Sequence, residues 1–154
     1  MKKETTAGLT IQSKKNIPVD TVIRNNKDTF TESKYSTELS CVLHSIVKDK
    51  GLRIPDIIKE SALSTQYTYE IFRGDKKNPS RDIVLSLCIG MHLTPEETNR
   101  LLLVTGYAQL YNKNLRDFII YDGLQHNRKI DTINLTLQEH DLEPLSKIKG
   151  DSIK

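Results

Sequence analysis

Two short segments with helical character are joined by only three residues, Ala62-Leu63-Ser64. The first segment, Ile54 to Ser61, and the second, Ser64 to Arg73, each provide about two to three helical turns. Ser64 is a favourable N-cap for the second helix, and Gly74 lies where a C-terminal cap is expected. Because so short a connection forces the two helices to cross at a steep angle, we expect the second helix to project from the body of the protein.

Other segments of the chain also follow the helical period of 3.6 residues. They begin near Thr37, Ser80, Thr94, Asn114 and Ile130 and end near Gly51, Met91, Gly106, Leu124 and His140, respectively. In Thr94-Pro95-Glu96-Glu97, Thr94 is the N-cap, proline follows at the first helical position and Glu97 closes a capping box. The segment after Ser80 is apolar on several faces, so we expect it to be the central helix. Since no segment alternates convincingly between apolar and polar residues, the sequence predicts an all-α fold of about seven short helices.

The net charge of +3 is concentrated at the N-terminus. Residues 1–36 contain seven Lys/Arg and four Asp/Glu, whereas residues 37–154 contain 16 of each and are neutral. We expect residues 1–36 to form a flexible, polar and basic tail, because they contain little apolar surface to bury. Only the stretch from Ile17 to Ile23 is apolar, and it either docks, for instance on the body, or remains solvated without a role. Residues 146–154 are expected to be a second flexible tail.

Several classes of protein are disfavoured by the composition. There is no apolar run of about 18 residues, as a membrane span requires, and no apolar region of a secretory signal, so we expect a cytoplasmic protein. We predict no cofactor, no metal and no enzymatic activity, because the seven glycines are dispersed and the histidines follow no zinc-ligand spacing. Cys41 and Cys88 lie on apolar helix faces and are expected to be small core residues. His44 is expected at the surface or partly packed.

The outward face of the helix from Ser64 to Arg73 follows from its apolar positions. Ile71, together with Thr68 or Phe72, is expected to face the core. The remaining side chains then point outward: Thr65, Gln66, Tyr67, Tyr69, Glu70 and Arg73. Glutamine can read adenine and threonine can contact a thymine methyl group, whereas the carboxylate of Glu70 suits only cytosine. Such a face can read DNA, bind a protein partner or simply be solvated.

Basic residues are clustered directly after this helix. Arg73, Lys76, Lys77 and Arg81 lie within nine residues, against two acidic residues, Asp75 and Asp82. A basic loop at the end of a helix that enters a groove is well placed to contact phosphate, and the N–H groups at the Ser80 helix start can add to this contact. A solvated loop without a ligand is the alternative.

At these residues the sequence resembles the XRE-type, lambda-repressor-like helix-turn-helix transcriptional regulators. The resemblance covers residues 37–106 without a gap, and we expect these residues to form the helix-turn-helix domain. The matching residues are Leu43, Lys50-Gly51-Leu52, Ile57, Leu63-Ser64, Ile71, Gly74 and Lys77-Asn78-Pro79-Ser80. Residues 107–145 resemble a helical extension found on some small regulators of Gram-positive bacteria and are expected to pack on that domain. Its family-like stretches are Leu110 to Asn114, Arg116-Asp117 and Ile133-Asn134.

The resemblance implies a lambda-repressor-like helical bundle that binds double-stranded DNA through the projecting helix. It also implies a homodimer on a two-fold operator with half-sites about 34 Å apart. The chain departs from the family pattern at Ile54, Ile58, Ala62, Thr68 and Phe72, which stand where the family has glutamine, a small residue, glycine, an apolar residue and often glutamate. These departures, the neutral body and Glu70 favour a second hypothesis. In that hypothesis the same fold is a protein-interaction module that uses the projecting helix or the C-terminal helices.

Overall fold

The computed structural model describes residues 3–4, 10–11 and 38–145. The chain divides into two units, Met1–Ser36 and Thr37–Lys154. Within the first unit, β1 (Lys3–Glu4) pairs in antiparallel fashion with β2 (Thr10–Ile11), and Lys3 lies opposite Ile11. Each strand has only two residues, which are too few to show an alternating pattern in the sequence. The predictions for the rest of the 1–36 tail, including Ile17 to Ile23, and for residues 146–154 lie outside the described residues.

The second unit is helical, and every helix or strand that the structure describes between residues 38 and 145 is an α-helix. The helices are α1 (Leu39–Lys50), α2 (Ile54–Ser61), α3 (Thr65–Arg73), α4 (Arg81–Gly90), α5 (Pro95–Val104), α6 (Leu115–Gln125) and α7 (Ile130–Glu139). The prediction of an all-α fold with about seven short helices is therefore confirmed for this part of the chain.

Local capping explains where most of these helices begin. The side chains of Ser64, Ser80, Thr94 and Asn114 each accept a hydrogen bond from the backbone N–H three residues later. At α5 the capping box is complete, because the Glu97 carboxylate also accepts from the Thr94 N–H at 2.9 Å. This hydrogen bond, opposed by partial burial and supported by Lys50, lowers the pKa of Glu97.

Helix α4 is the centre of the second unit, as predicted. All its residues from Ile83 to Gly90 are buried, and α2, α5 and α7 pack against it, while α1 packs on α3. Cys88 lies in this core as expected, and burial raises the pKa of its thiol to about 12. The prediction for Cys41 is wrong, because α1 turns this side chain toward solvent. Helical periodicity placed Cys41 near the apolar stripe of α1, but the buried side chains of that stripe are Leu39 and Leu43.

Helices α2 and α4 approach each other closely at Gly90. A Cβ atom added to Gly90 would lie 2.8 Å from the Ser61 Cβ and 2.9 Å from the Ile57 carbonyl oxygen. Glycine at position 90 and the small, fully buried Ser61 therefore let the two backbones touch. This contact fixes the position of α2, the first helix of the steeply crossing pair.

The C-terminal helices are joined to α4 by two crossed ion pairs. Arg81 and Asp82 begin α4, whereas Arg116 and Asp117 lie in the first turn of α6. The Arg81 guanidinium donates to both Asp117 carboxylate oxygens at 3.1 Å, and the Arg116 guanidinium donates to both Asp82 oxygens at 2.9 and 3.0 Å. Such bidentate pairs fix orientation as well as distance. We call these four residues the crossed clamp.

Candidate nucleic-acid interface

The turn between α2 and α3 is built around a residue in the left-handed conformation. Ala62 has φ 60° and ψ 28°, which for a residue with a Cβ atom costs about 1 kcal/mol. The next residue, Leu63, is buried and anchors the turn in the core. Ser64 then caps α3 by accepting from the Tyr67 N–H at 3.2 Å. The chain therefore makes this turn with an alanine, and not a glycine, in the left-handed conformation.

Three side chains of α3 are buried: Thr68, Ile71 and Phe72. The sequence predicts that either Thr68 or Phe72 faces the core with Ile71, and in the structure both do. Burial of the Thr68 hydroxyl is compensated because it donates to the Ser64 carbonyl oxygen at 2.8 Å. Phe72 meets the His44 ring edge-on, with centroids 5.4 Å apart, and His44 Nε2 is 2.8 Å from the Phe72 carbonyl oxygen. These contacts attach α3 to α1.

The predicted outward face of α3 is only partly exposed. Thr65, Gln66 and Arg73 are exposed, whereas Tyr69 and Glu70 are half-buried. Tyr67 was expected to point outward, but it is also half-buried and packs against the core. Burial is the main cause of the raised pKa of Tyr67, with contributions from Glu70 and Tyr107. A period of 3.6 residues places Tyr67 at the border of the apolar face, where a long ring can lie back on the core.

Three of the outward polar side chains take part in two hydrogen-bonded pairs along α3 and at its end. The Gln66 side-chain amide donates to the Glu70 carboxylate at 3.4 Å, and Arg73 Nε donates to Asp75 Oδ2 at 3.0 Å. The Arg73 pair is well exposed on both sides, so water and salt weaken it. Glu70, which did not fit a DNA-reading face, therefore has a local role as an acceptor for Gln66.

The basic loop after α3 has a fixed backbone and exposed lysines. The N–H groups of Asp75 and Lys76 both donate to the Glu70 carbonyl oxygen, at 2.9 and 3.2 Å. Lys76 and Lys77 are exposed, and Lys77 Nζ lies 3.6 Å from Glu38 Oε2 at a surface-exposed pair. Both ammonium groups can therefore approach a phosphate, although Lys77 must exchange a weak partner to do so.

Arg81, the fourth basic residue of the predicted cluster, is bound within the protein. Besides its two bonds to Asp117, its guanidinium donates to the carbonyl oxygens of Ala108 at 3.1 Å and Gln109 at 3.3 Å. Its side chain is only 24% exposed. Most of its N–H groups are therefore occupied, and we do not include Arg81 among the groups that face a ligand. Asp117 is far away in the sequence, so the local charge cluster gave no sign of this partner.

The remaining departures from the family pattern lie on α2. Ile54, at the position where the family has a glutamine, is half-buried and packs against the core. Ile58 is also half-buried. Neither of these two side chains can donate a hydrogen bond to a phosphate.

Other types of site find no geometric support in the described part of the chain. No three His, Cys, Asp or Glu side chains there converge as metal ligands. None of the helices described here combines the length and apolar character needed to cross a membrane.

No protein-family model, no curated protein and no solved structure matches this chain significantly.

Proposed function

We propose that this protein is a sequence-specific DNA-binding transcriptional regulator. In this proposal α3 enters the major groove, and the loop after it contacts the phosphate backbone. The observation that carries the proposal is the arrangement of α2, a three-residue turn with Ala62 in the left-handed conformation, and α3, followed by a loop with two exposed lysines.

The chemistry of the exposed groups supports this proposal. Gln66 at the start of α3 is exposed and can offer an amide to a base edge, where glutamine is a good bidentate partner of adenine. Thr65 is beside it, and Arg73, Lys76 and Lys77 follow toward the C-terminal end of the helix and in the loop. Base-reading groups on the helix and backbone-binding groups after it are the two kinds of contact that specific binding needs.

A homodimer on a two-fold operator is part of the proposal. One copy of α3 reads only a few base pairs, and two copies related by a two-fold axis read two half-sites about 34 Å apart. The helices after Thr94 are the surface that we expect to form the dimer.

The direct test is selection of binding sites from a random pool of duplex DNA by the purified full chain. We expect an enriched motif with two related halves. We also expect binding that weakens steeply as the salt concentration rises, because phosphate contacts release counterions. Failure to enrich any motif would overturn sequence-specific binding.

Two substitutions separate base reading from backbone contact. Gln66→Ala should cost about 1–3 kcal/mol at one base position of the selected site and relax the preference there. Lys77→Ala should weaken binding to all sequences alike and lower the salt slope by about one unit. Fluorescence anisotropy with matched and mismatched duplexes at several salt concentrations measures both effects.

The control for the second substitution is Lys129→Ala. It removes the same charge from the N-cap of α7, which belongs neither to α3 nor to the loop proposed to contact DNA. This variant should leave the salt slope unchanged. Equal effects of Lys77→Ala and Lys129→Ala would contradict the proposed docking.

A second candidate function is that of a protein-interaction module on the same fold. The observation that favours it is a set of large apolar side chains exposed on the C-terminal half of the second unit. They are Leu103, Val104, Tyr111, Leu115, Phe118 and Leu135. Exposed apolar groups of this kind suit a protein surface rather than a nucleic acid. Binding of a protein partner in the absence of DNA, with an affinity that does not change with salt concentration, would favour this candidate.

A further inference from the structure

The basic loop is held at its far end by a residue from outside the steeply crossing helix pair. The phenolic O–H of Tyr107 donates to the Pro79 carbonyl oxygen at 2.6 Å. Pro79 is buried and lies two residues after Lys77, directly before the α4 N-cap Ser80. Tyr107 follows α5 at the start of the C-terminal extension, so the extension reaches the end of the loop that bears the lysines.

The residues next to Tyr107 hold the chain at a second point. Arg81, two residues after Pro79, donates to the carbonyl oxygens of Ala108 and Gln109. The segment 107–110 is itself attached to α5, since the Tyr107 N–H donates to the Leu102 carbonyl oxygen at 2.8 Å and the Leu110 N–H donates to Asn99 Oδ1 at 2.9 Å. The start of α4 is therefore bonded to the segment 107–110, and this segment is in turn bonded to α5.

Tyr107 also packs against the core that α3 packs against. Its ring is half-buried against the same core as Tyr67, and Tyr107 contributes to the raised pKa of Tyr67. Tyr107 thus shares a core with α3 and bonds to the end of the loop that follows α3. The two ends of the loop are set by the Glu70 carbonyl oxygen on one side and by the Tyr107 hydroxyl on the other.

We propose that Tyr107 is a positioning residue for DNA binding, because it holds the loop with Lys76 and Lys77 in place relative to α3. This inference rests on the proposed function. Tyr107 does not itself contact DNA in this proposal. A loop that is ordered before binding loses less conformational entropy when its lysines engage phosphates, so the hydroxyl increases affinity through the loop.

The test is Tyr107→Phe, which removes one hydroxyl and keeps the ring. We expect affinity for the selected duplex to fall about 3- to 10-fold, the range that corresponds to one hydrogen bond. The salt slope should stay as in the wild-type protein, since no cation is lost. The matched control is Tyr121→Phe, because the Tyr121 ring is half-buried like that of Tyr107 and its hydroxyl bonds to no described residue. The control should bind like the wild type.

A readout without DNA tests the positioning itself. Trypsin cleavage after Lys76 and Lys77 in the free protein should become several-fold faster in Tyr107→Phe, whereas cleavage after Arg128 and Lys129 should not change. A change in overall stability would alter both rates, so the ratio of the two isolates the loop.

The outcomes separate this inference from the proposed function. Wild-type protein that binds no DNA would overturn both. DNA binding by the wild type with unchanged affinity in Tyr107→Phe would overturn the positioning role alone. Reduced affinity with unchanged cleavage at Lys76 and Lys77 would also overturn it, because Tyr107 would then act by direct contact.

Discussion

Gly90→Ala is expected to lower the free energy of unfolding by about 2–3 kcal/mol. The added Cβ would meet the Ser61 Cβ at 2.8 Å, the Ile57 carbonyl oxygen at 2.9 Å and the Ser61 nitrogen at 3.0 Å. Two of these atoms belong to the backbone of α2, which can yield only if α2 moves away from α4. Urea denaturation monitored by circular dichroism measures the loss as a shift of the midpoint at constant slope.

The direction of the stability change in Gly90→Ala distinguishes steric overlap from helical propensity. Within a helix, replacing glycine with alanine normally stabilises by about 0.5–1 kcal/mol, so helical propensity alone predicts the opposite result. Gly123→Ala is a suitable comparison, because the nearest atoms to its Cβ would be the Cδ1 and Cγ1 atoms of the Ile133 side chain, at 2.4 and 2.5 Å. A second substitution, Ile133→Ala, removes both atoms and leaves the Ile133 Cβ at 3.8 Å. Adding Ser61→Gly to Gly90→Ala should not restore the lost stability, because the contacts with the Ile57 carbonyl oxygen and the Ser61 nitrogen remain. A Gly90→Ala protein as stable as the wild type would show that α2 and α4 are further apart than described.

Asp117→Ala is expected to cost about 3 kcal/mol of folding free energy, because it removes one partner of a largely buried ion pair. The Arg81 and Asp117 side chains are 24% and 11% exposed, so the remaining guanidinium would be left partly buried without its counter-charge. The Asp117 carboxylate also accepts from the Tyr111 N–H at 3.0 Å, and this donor would lose its partner. Thermal and urea unfolding measure the loss.

A double-mutant cycle separates the pair from its surroundings. Arg81→Met combined with Asp117→Leu should recover much of the stability lost in either single variant, because no unpaired charge remains. Asp75→Ala provides the exposed comparison. Its partner Arg73 is 58% exposed, so loss of this ion pair should lower the free energy of unfolding by less than about 0.5 kcal/mol. If Asp117→Ala costs no more than Asp75→Ala, the crossed clamp does not stabilise the fold.

The helix starts were predictable because their causes are local. Ser64, Ser80, Thr94 and Asn114 each bond to a backbone N–H three residues later, so a window of a few residues contains the complete signal. The left-handed conformation of Ala62 was not predicted, because a residue with a Cβ atom rarely adopts it. The central position of α4 followed from apolar residues on several of its faces.

The parts that could not be predicted depend on contacts between distant segments. Arg81 belongs to a local basic cluster in the sequence, but its partners are Asp117 and two carbonyl oxygens of the extension. The contact of Tyr107 with Pro79 has no sequence signal, because a tyrosine in an irregular segment can point in any direction. The half-burial of Tyr67 likewise depends on which neighbours cover the border of α3. Periodicity gives the face of a helix but not what packs against its edges.

The burial of α4 on all sides has a consequence for dividing the chain. The resemblance suggested a boundary at residue 106, but a helix with no exposed face needs cover from both sides of that boundary. Ile120, Leu124, Ile133 and Leu137 belong to the same apolar cluster as Leu85 and Leu87 of α4. A fragment that stops at Gly106 would expose part of that cluster and lose the crossed clamp. Residues 37–145 are therefore the smallest piece expected to melt in a single cooperative transition.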